Sequence, residues 1–194
     1  MEQLLAKAKH FVMVAFICTD KAHDYSHAIR VVENAKYIVT KEFSSKPINM
    51  EVILLSSILH DVADKKLFKS ENLLDRWFSD TPSNFEHEIR KTISEISYSS
   101  GAKPSSIESM IVQDADRLDA IGAIGIARVF TYGGAIGRPI YSDDGFSSIS
   151  HFGDKLLNIK EHMNTQTGKQ LAEKRESYMR AFISELWKEV SIES

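Results

Sequence analysis

Two groups of ionisable side chains stand in otherwise apolar stretches of the sequence. The pair His60 and Asp61 follows the apolar run MEVILLSSIL, and the acidic segment DADRLD covers residues 114–119. Burying a charged side chain is costly unless another group pairs with it. Carboxylates and neutral imidazoles bind the same divalent cations, so two helices that carry these groups could share one metal ion.

An ion pair would satisfy the same acids without a metal. Arg30 and Arg117 are candidate partners for Asp61 or Asp116. Residue types and spacing leave both interpretations open.

Helix geometry indicates which of the acids could act together. Asp116 and Asp119 lie about 60° apart around a helix and share a face, whereas Asp114 falls near the opposite stripe. Geometry alone does not say which face would hold a metal. Asp64 follows the His-Asp pair by three residues, so it can approach whatever that pair binds.

Composition limits the kinds of protein to consider. The chain has 194 residues, 43% hydrophobic and 26% charged, as is typical of a globular domain of this length. A net charge of −3 argues against a nucleic-acid polymer as partner. Cys18 is the only cysteine, which excludes an internal disulfide and a Cys-rich zinc site. The longest apolar stretch is too short to span a membrane, so we expect a cytoplasmic protein with no membrane partner.

Helices must position these side chains, because the sequence reads as all-α almost throughout. The spacing of apolar residues predicts a first helix over 2–17 and a second that begins at Asp24 or Ser26. A third helix is predicted over 50–63 and should be buried on several sides. Residues 70–98 predict one or two amphipathic helices.

The second half of the chain predicts further helices around one irregular stretch. Ser105 and Glu108 have the capping-box pattern and predict a helix over about 105–130. An irregular loop is expected over 132–150. Arg138, Tyr141 and His151, which flank it, could close over a substrate. Helices over 151–164 and 169–190 should follow, the last with a buried stripe of Leu171, Tyr178, Phe182, Leu186 and Trp187.

The ordered residues resemble a known family. His27, then His60-Asp61, then Asp116 are similar to the H…HD…D signature of the HD-domain superfamily of metal-dependent phosphohydrolases. The resemblance covers nearly the whole chain and is strongest in five strings: HDYSHAIRV (23–31), LHDVAD (59–64), DADRLDAIGAIGIAR (114–128), HFGDKLL (151–157) and MNTQTGKQLAEKR (163–175).

The resemblance implies a fold and a ligand set. It implies an all-α HD-domain helical bundle over residues 1–194, with its core at about 20–130 and a C-terminal loop-and-helix extension from about 131. His27, His60, Asp61 and Asp116 would be the four protein ligands of one divalent metal: Mn, Mg, Ni, Co, Fe or Zn. His87 lies where some relatives have extra metal ligands, but its EHE setting is typical of an exposed helix.

The implied activity is cleavage of a small-molecule phosphate ester, with a nucleotide as the favoured substrate, by metal-activated water. Asp64 would be the general base or would position the water, and Lys65 would stabilise developing negative charge. Arg30, Arg117 and Lys155 are candidate substrate-binding cations.

Two other function classes remain open at the level of sequence. One is a non-catalytic metal- and nucleotide-binding sensor, and the other is a structural helical adaptor. Retention of the presumed ligands and of Asp64 favours an enzyme. A homodimer is left open, as are the roles of Asp119, His23 and His151.

Overall fold

The computed structural model describes residues 1–16, 25–63, 72–96, 101–142 and 145–191. The predicted all-α fold is confirmed, since these residues form helices and turns and no strand. Their α-helices are α1 (Glu2–Ala15), α2 (Tyr25–Ile38), α3 (Met50–Leu59), α4 (Leu73–Asp80), α5 (Glu86–Ile96), α6 (Ile107–Asp119), α7 (Gly122–Ala135), α8 (Ser150–Asp154) and α9 (Gln166–Val190). None of these helices is long and apolar enough to cross a bilayer.

The chain divides into two compact units, Met1–Asp116 and Arg117–Ser194. The single-domain organisation expected from the sequence stays a prediction, as do its boundaries.

Helix α3 forms the core of the first unit. The Asn49 side chain accepts hydrogen bonds from the backbone amides of Glu51 and Val52 and so begins the helix. Every residue from Val52 to Leu59 is buried, and α3 packs against α1, α2 and α5. Burying each Leu or Ile side chain stabilises the fold by roughly 1.5–3 kcal/mol. The position of α3 is therefore strongly fixed, and the chain continues from it into a 3₁₀ turn at His60–Ala63.

Helix α2 supplies the opposing apolar face. Its residues at three- and four-residue steps are fully buried, as the periodicity predicts: Ala28, Val31, Val32, Ala35 and Ile38. The helix continues into a π-helical turn at Val39–Phe43, in which Phe43 is buried.

The start of α6 differs from the sequence prediction. Ser106, not Ser105, caps the helix, because its Oγ accepts a hydrogen bond from the amide of Ser109 at 3.1 Å. Glu108 instead accepts a hydrogen bond from the backbone amide of Asn49 at 2.9 Å. The predicted capping box was therefore wrong: the cap lies one residue later, and the Glu108 carboxylate binds the amide of Asn49 instead of an amide at the start of α6.

The predicted single helix over 105–130 is two helices. Helix α6 ends at Asp119, and α7 begins at Gly122, whose φ of +78° favours glycine. A Cβ there would also lie 3.0 Å from Cγ of Arg175 on α9. Helix α7 then continues to Ala135, so the irregular stretch begins later than predicted.

The buried stripe predicted for the C-terminal helix is partly right, since Leu171, Phe182 and Leu186 are half-buried. Tyr178 and Trp187 are 57% and 41% exposed, whereas Ala172, Glu176 and Met179 are buried. Glu176 interrupts the apolar pattern of the buried face, and it is held there by Arg180 at 2.7 Å and Lys160 at 3.2 Å.

Candidate metal centre

His27 lies in the first turn of α2, on the face that the helix buries. Its side chain is 4% exposed. Val31 lies four residues on, fully buried on the same face. Packing of this face therefore directs the imidazole into the first unit.

His60 and Asp61 lie where α3 tightens into the 3₁₀ turn. The ring Nδ1 of His60 is 2.9 Å from the backbone carbonyl oxygen of Ser57, which can only accept a hydrogen bond. In the neutral ring Nδ1 therefore carries the proton, and the lone pair of Nε2 is free for a cation. This contact orients His60 as a metal ligand would be oriented.

Asp116 is the acid of α6 that lies against the histidines. Its Oδ1 is 3.4 Å from Nε2 of His27 and 3.6 Å from Nε2 of His60. Asp114 is fully buried at another position on the helix, and Asp119 pairs with Arg128 at 2.7 Å. Asp119, whose role the sequence left open, therefore forms a salt bridge with Arg128.

Asp61 contacts both histidines. Its Oδ2 is 3.5 Å from Nε2 of His27, and its Oδ1 is 3.2 Å from Nε2 of His60. The two Nε2 atoms themselves are 3.3 Å apart. Side chains from three separate helical segments thus converge on one point.

These separations suit a shared metal ion. Two ligand atoms that each lie about 2.1 Å from one ion are about 3.0 Å apart at right angles and about 3.4 Å apart at the tetrahedral angle. The separations above fall between 3.2 and 3.6 Å. His27, His60 and Asp116 offer ligand atoms that all lie within 4.8 Å of one another.

The donor set is also chemically suitable. Two imidazole nitrogens facing each other at 3.3 Å repel if both are protonated, whereas a cation between them attracts both lone pairs. Two nearby carboxylates balance the charge of a divalent ion. The residues present therefore fit a divalent metal with mixed nitrogen and oxygen ligands.

Electrostatics in the metal-free cluster follow the same pattern. Burial lowers the pKa of His60, but the carboxylates of Asp61 and Asp116 outweigh it and raise that pKa to about 9. Burial raises the pKa of Asp116, yet its hydrogen bond with His27 and the charges of both histidines hold that pKa below its ordinary value. The carboxylates thus attract positive charge to this point, whether it is carried by a proton or by a metal.

The structure also describes the three predicted substrate-binding cations. Arg30, one turn after His27, donates a hydrogen bond to Ser26 Oγ at 2.9 Å. Arg117 donates one to the carbonyl oxygen of His162, and Lys155 is exposed; both belong to the second unit.

Three further predictions concern residues near the motif in sequence. Asp64 and Lys65 lie outside the described residues, as does His23. His87 is exposed on α5, as its sequence setting indicates.

Sequence reasoning missed two groups around this cluster. Ser57 orients His60 through its backbone, for which no side-chain signal exists. Asn34 lies seven residues after His27 on α2, and its amide donates a hydrogen bond to the carbonyl oxygen of Ala115 at 3.0 Å. A polar residue at this spacing, beside the buried Val31 and Ala35, was the available signal.

A family match spans this whole ligand set. A model of the HD domain matches residues 24–121, half of the chain, and so includes all four convergent residues. The chain belongs to the HD-domain family.

Relatives of this HD-domain protein match it over almost its full length. YpgQ of Bacillus subtilis (strain 168) is 36% identical in an alignment of 203 residues that covers 98% of this chain and 96% of YpgQ. A crystal structure described as an HD-superfamily hydrolase from Bacillus thuringiensis is 34% identical, has a TM-score of 0.81 and covers 99% of each chain. The crystal structure of B. subtilis YpgQ in complex with ADP has a TM-score of 0.79 at 31% identity and covers 97% of this chain and 98% of that one.

These matches support a hydrolase-type family and a metal-binding fold. They agree with the resemblance read from the motifs. The described part of this HD-domain protein places His27, His60 and Asp116 close enough together to share a metal ion.

Proposed function

We propose that this HD-domain protein is a metal-dependent phosphohydrolase that cleaves a phosphate ester of a small molecule, with a nucleotide as the substrate class. One observation carries the proposal: the Nε2 atoms of His27 and His60 lie 3.2–3.6 Å from each other and from carboxylate oxygens of Asp61 and Asp116, on three helical segments. A structural adaptor has no need to gather four such groups in its interior.

His27, His60, Asp61 and Asp116 would hold the ion. A divalent ion bound there supplies positive charge that polarises a phosphoryl oxygen and lowers the pKa of a water molecule. With four protein ligands, the ion would keep coordination positions for water and substrate oxygen.

We assign the remaining chemistry to other charged side chains of the chain. Asp64 follows Asp61 by three residues, and we assign it the role of general base or water-positioning group. Lys65 and Arg30 would offset the negative charge that develops on the phosphoryl oxygens. Arg117 and Lys155 are the candidate substrate-binding cations of the second unit.

The nucleotide class rests on a relative. YpgQ, at 31% identity over nearly the same length, has been crystallised in complex with ADP. ADP offers phosphate oxygens that suit a divalent ion with cationic side chains around it. We therefore assign a nucleotide-type phosphate compound to this chain as its substrate.

The test is a turnover assay on protein of known metal content. Purified protein is loaded in turn with Mn²⁺, Mg²⁺, Ni²⁺ and Co²⁺, and phosphate or pyrophosphate release is followed from a panel of nucleoside mono-, di- and triphosphates. We expect metal-dependent release from at least one nucleotide class. A loaded protein that binds ADP but turns over no phosphate ester would instead be a sensor.

A pair of variants checks the ligand assignment. We expect Asp61→Ala to lose both bound metal and turnover while its circular dichroism stays helical. Asp80→Ala is the matched control, because it removes an exposed carboxylate at the end of α4. Full metal occupancy in Asp61→Ala would show that the ligand set is wrong.

A further inference from the structure

Asn34 connects two of the helices that supply the candidate ligands. It lies on α2, seven residues after His27, and therefore on the same face of that helix. Its Nδ2 donates a hydrogen bond to the carbonyl oxygen of Ala115 on α6 at 3.0 Å. Ala115 is fully buried and directly precedes Asp116.

The carbonyl that Asn34 contacts lies inside a helix. Within α6 this oxygen is positioned to accept the amide of the residue four places on, so the Asn34 amide is an additional donor to an already ordered group. A side-chain hydrogen bond to the backbone of a helix fixes the position of that segment of the helix. The bond from Asn34 to Ala115 therefore also fixes the backbone position of Asp116, the next residue.

Helices α2 and α6 thus contact each other at two points along α2. At the first point, Nε2 of His27 lies 3.4 Å from Oδ1 of Asp116. At the second, seven residues and about 10 Å further along α2, Asn34 contacts the α6 backbone. Together the two contacts constrain both the spacing and the register of the two helices.

We propose that Asn34 is a positioning residue that sets the separation of His27 and Asp116 for metal binding; this rests on the metal centre of the proposed function. Metal sites require ligand distances within about 0.2 Å of their preferred values. Burial of apolar surface between α2 and its neighbours is non-directional, whereas a hydrogen bond has a preferred length and angle. Asn34 supplies that directional constraint without touching the ion.

Two variants at position 34 test the proposal. Asn34→Asp is isosteric but places an acceptor oxygen against the carbonyl oxygen of Ala115, so it should separate the two helices. Asn34→Leu keeps a similar volume and removes the donor. Metal binding is measured with Co²⁺ alone, by titration and by the visible absorption spectrum, which reports the coordination geometry.

The control variant removes a hydrogen bond between α6 and a helix that carries no ligand. Thr92→Val, on α5, deletes the contact of Thr92 Oγ1 with Ser109 Oγ at 3.3 Å. Both kinds of deletion should lower the melting temperature by a similar amount. Thermal melting then shows whether the variants are matched.

We expect Asn34→Asp and Asn34→Leu to bind Co²⁺ about 10- to 100-fold more weakly than the wild type, with an altered absorption spectrum. Asn34→Gln, which keeps the amide donor, should recover part of the affinity. Thr92→Val should bind Co²⁺ as the wild type does.

Two results would overturn the proposal, and they are distinguishable. If Asn34→Asp and Asn34→Leu have lower melting temperatures but keep the wild-type Co²⁺ affinity and spectrum, Asn34 has only a structural role. If the wild type itself binds no Co²⁺, the metal centre fails and the role of Asn34 fails with it.

Discussion

Metal binding at this site should compete with a proton on His60. In the metal-free cluster the carboxylates of Asp61 and Asp116 overcome the effect of burial and raise the pKa of His60 to about 9, from an ordinary value of 6.5. Only the deprotonated Nε2 can bind a metal, so each ion that binds must displace this proton. Affinity for the metal therefore increases with pH until the pH reaches the pKa.

The size of the effect follows from that pKa. A pH of about 7 lies two units below the pKa of His60, so the bound proton weakens metal binding by about 3 kcal/mol, or about 100-fold. Between about pH 6.5 and 8.5 the binding constant should rise close to tenfold per pH unit. A histidine with an ordinary pKa would give almost no dependence above about pH 7.

Isothermal titration with Mn²⁺ measures this dependence. Titrations at one pH in two buffers of different ionisation enthalpy give the number of protons released, which we expect to be close to one per ion. An NMR titration of the metal-free protein, with the His60 ring assigned by comparison with a His60→Gln variant, gives the pKa directly. A Mn²⁺ affinity that is flat from about pH 6.5 to 8.5, with no proton release, would refute the electrostatic reasoning.

Three further predictions concern single residues. Asp64→Asn should keep the metal, measured by elemental analysis, and lose most turnover; unchanged turnover would exclude Asp64 as the base. Arg30→Gln should raise KM for a nucleotide with little change in metal affinity, and an unchanged KM would remove Arg30 from substrate binding. Gly125→Ala should lower stability by about 1–3 kcal/mol in denaturant unfolding, because its Cβ would clash with the backbone oxygen of Ala120. Gly134→Ala, where a Cβ meets no atom within 4 Å, is the control and should not destabilise the fold.

Where apolar residues dominate a segment, its sequence was enough to predict its structure. The face of α2 repeats at three- and four-residue steps, and the middle of α3 is apolar all round, so both helices and their buried residues were predicted correctly. Solvent exclusion alone determines such segments.

Where polar groups act over long distances, the sequence was not enough. Glu108 has the spacing of a capping box but accepts its hydrogen bond from Asn49, 59 residues away. Glu176 faces inward on α9, where Lys160 lies 3.2 Å away, whereas the predicted stripe included the exposed Tyr178 and Trp187. The contacts with Asn49 and Lys160 cannot be inferred from local spacing.

The candidate site shows the same division. Helix geometry related Asp116 to Asp119 but did not select between the acidic faces, and the resemblance to the HD family implied Asp116. The structure brings Asp116 to the histidines and pairs Asp119 with Arg128. The hydrogen bond between Asn34 and Ala115 joins residues 81 positions apart, and no sequence motif predicts it.

The four converging side chains differ in how well they are shielded from solvent. His27 and His60 are 4% and 6% exposed, Asp61 is 14% exposed, and Asp116 is 26% exposed. We therefore expect an ion, and any chelator that removes it, to arrive and depart past the Asp116 carboxylate. Because α3 packs against α1, α2 and α5, we also expect that carboxylate, more than His60, to adjust to ions of different radius. Exchange kinetics and selectivity among metals should thus depend more on Asp116 than on the histidines.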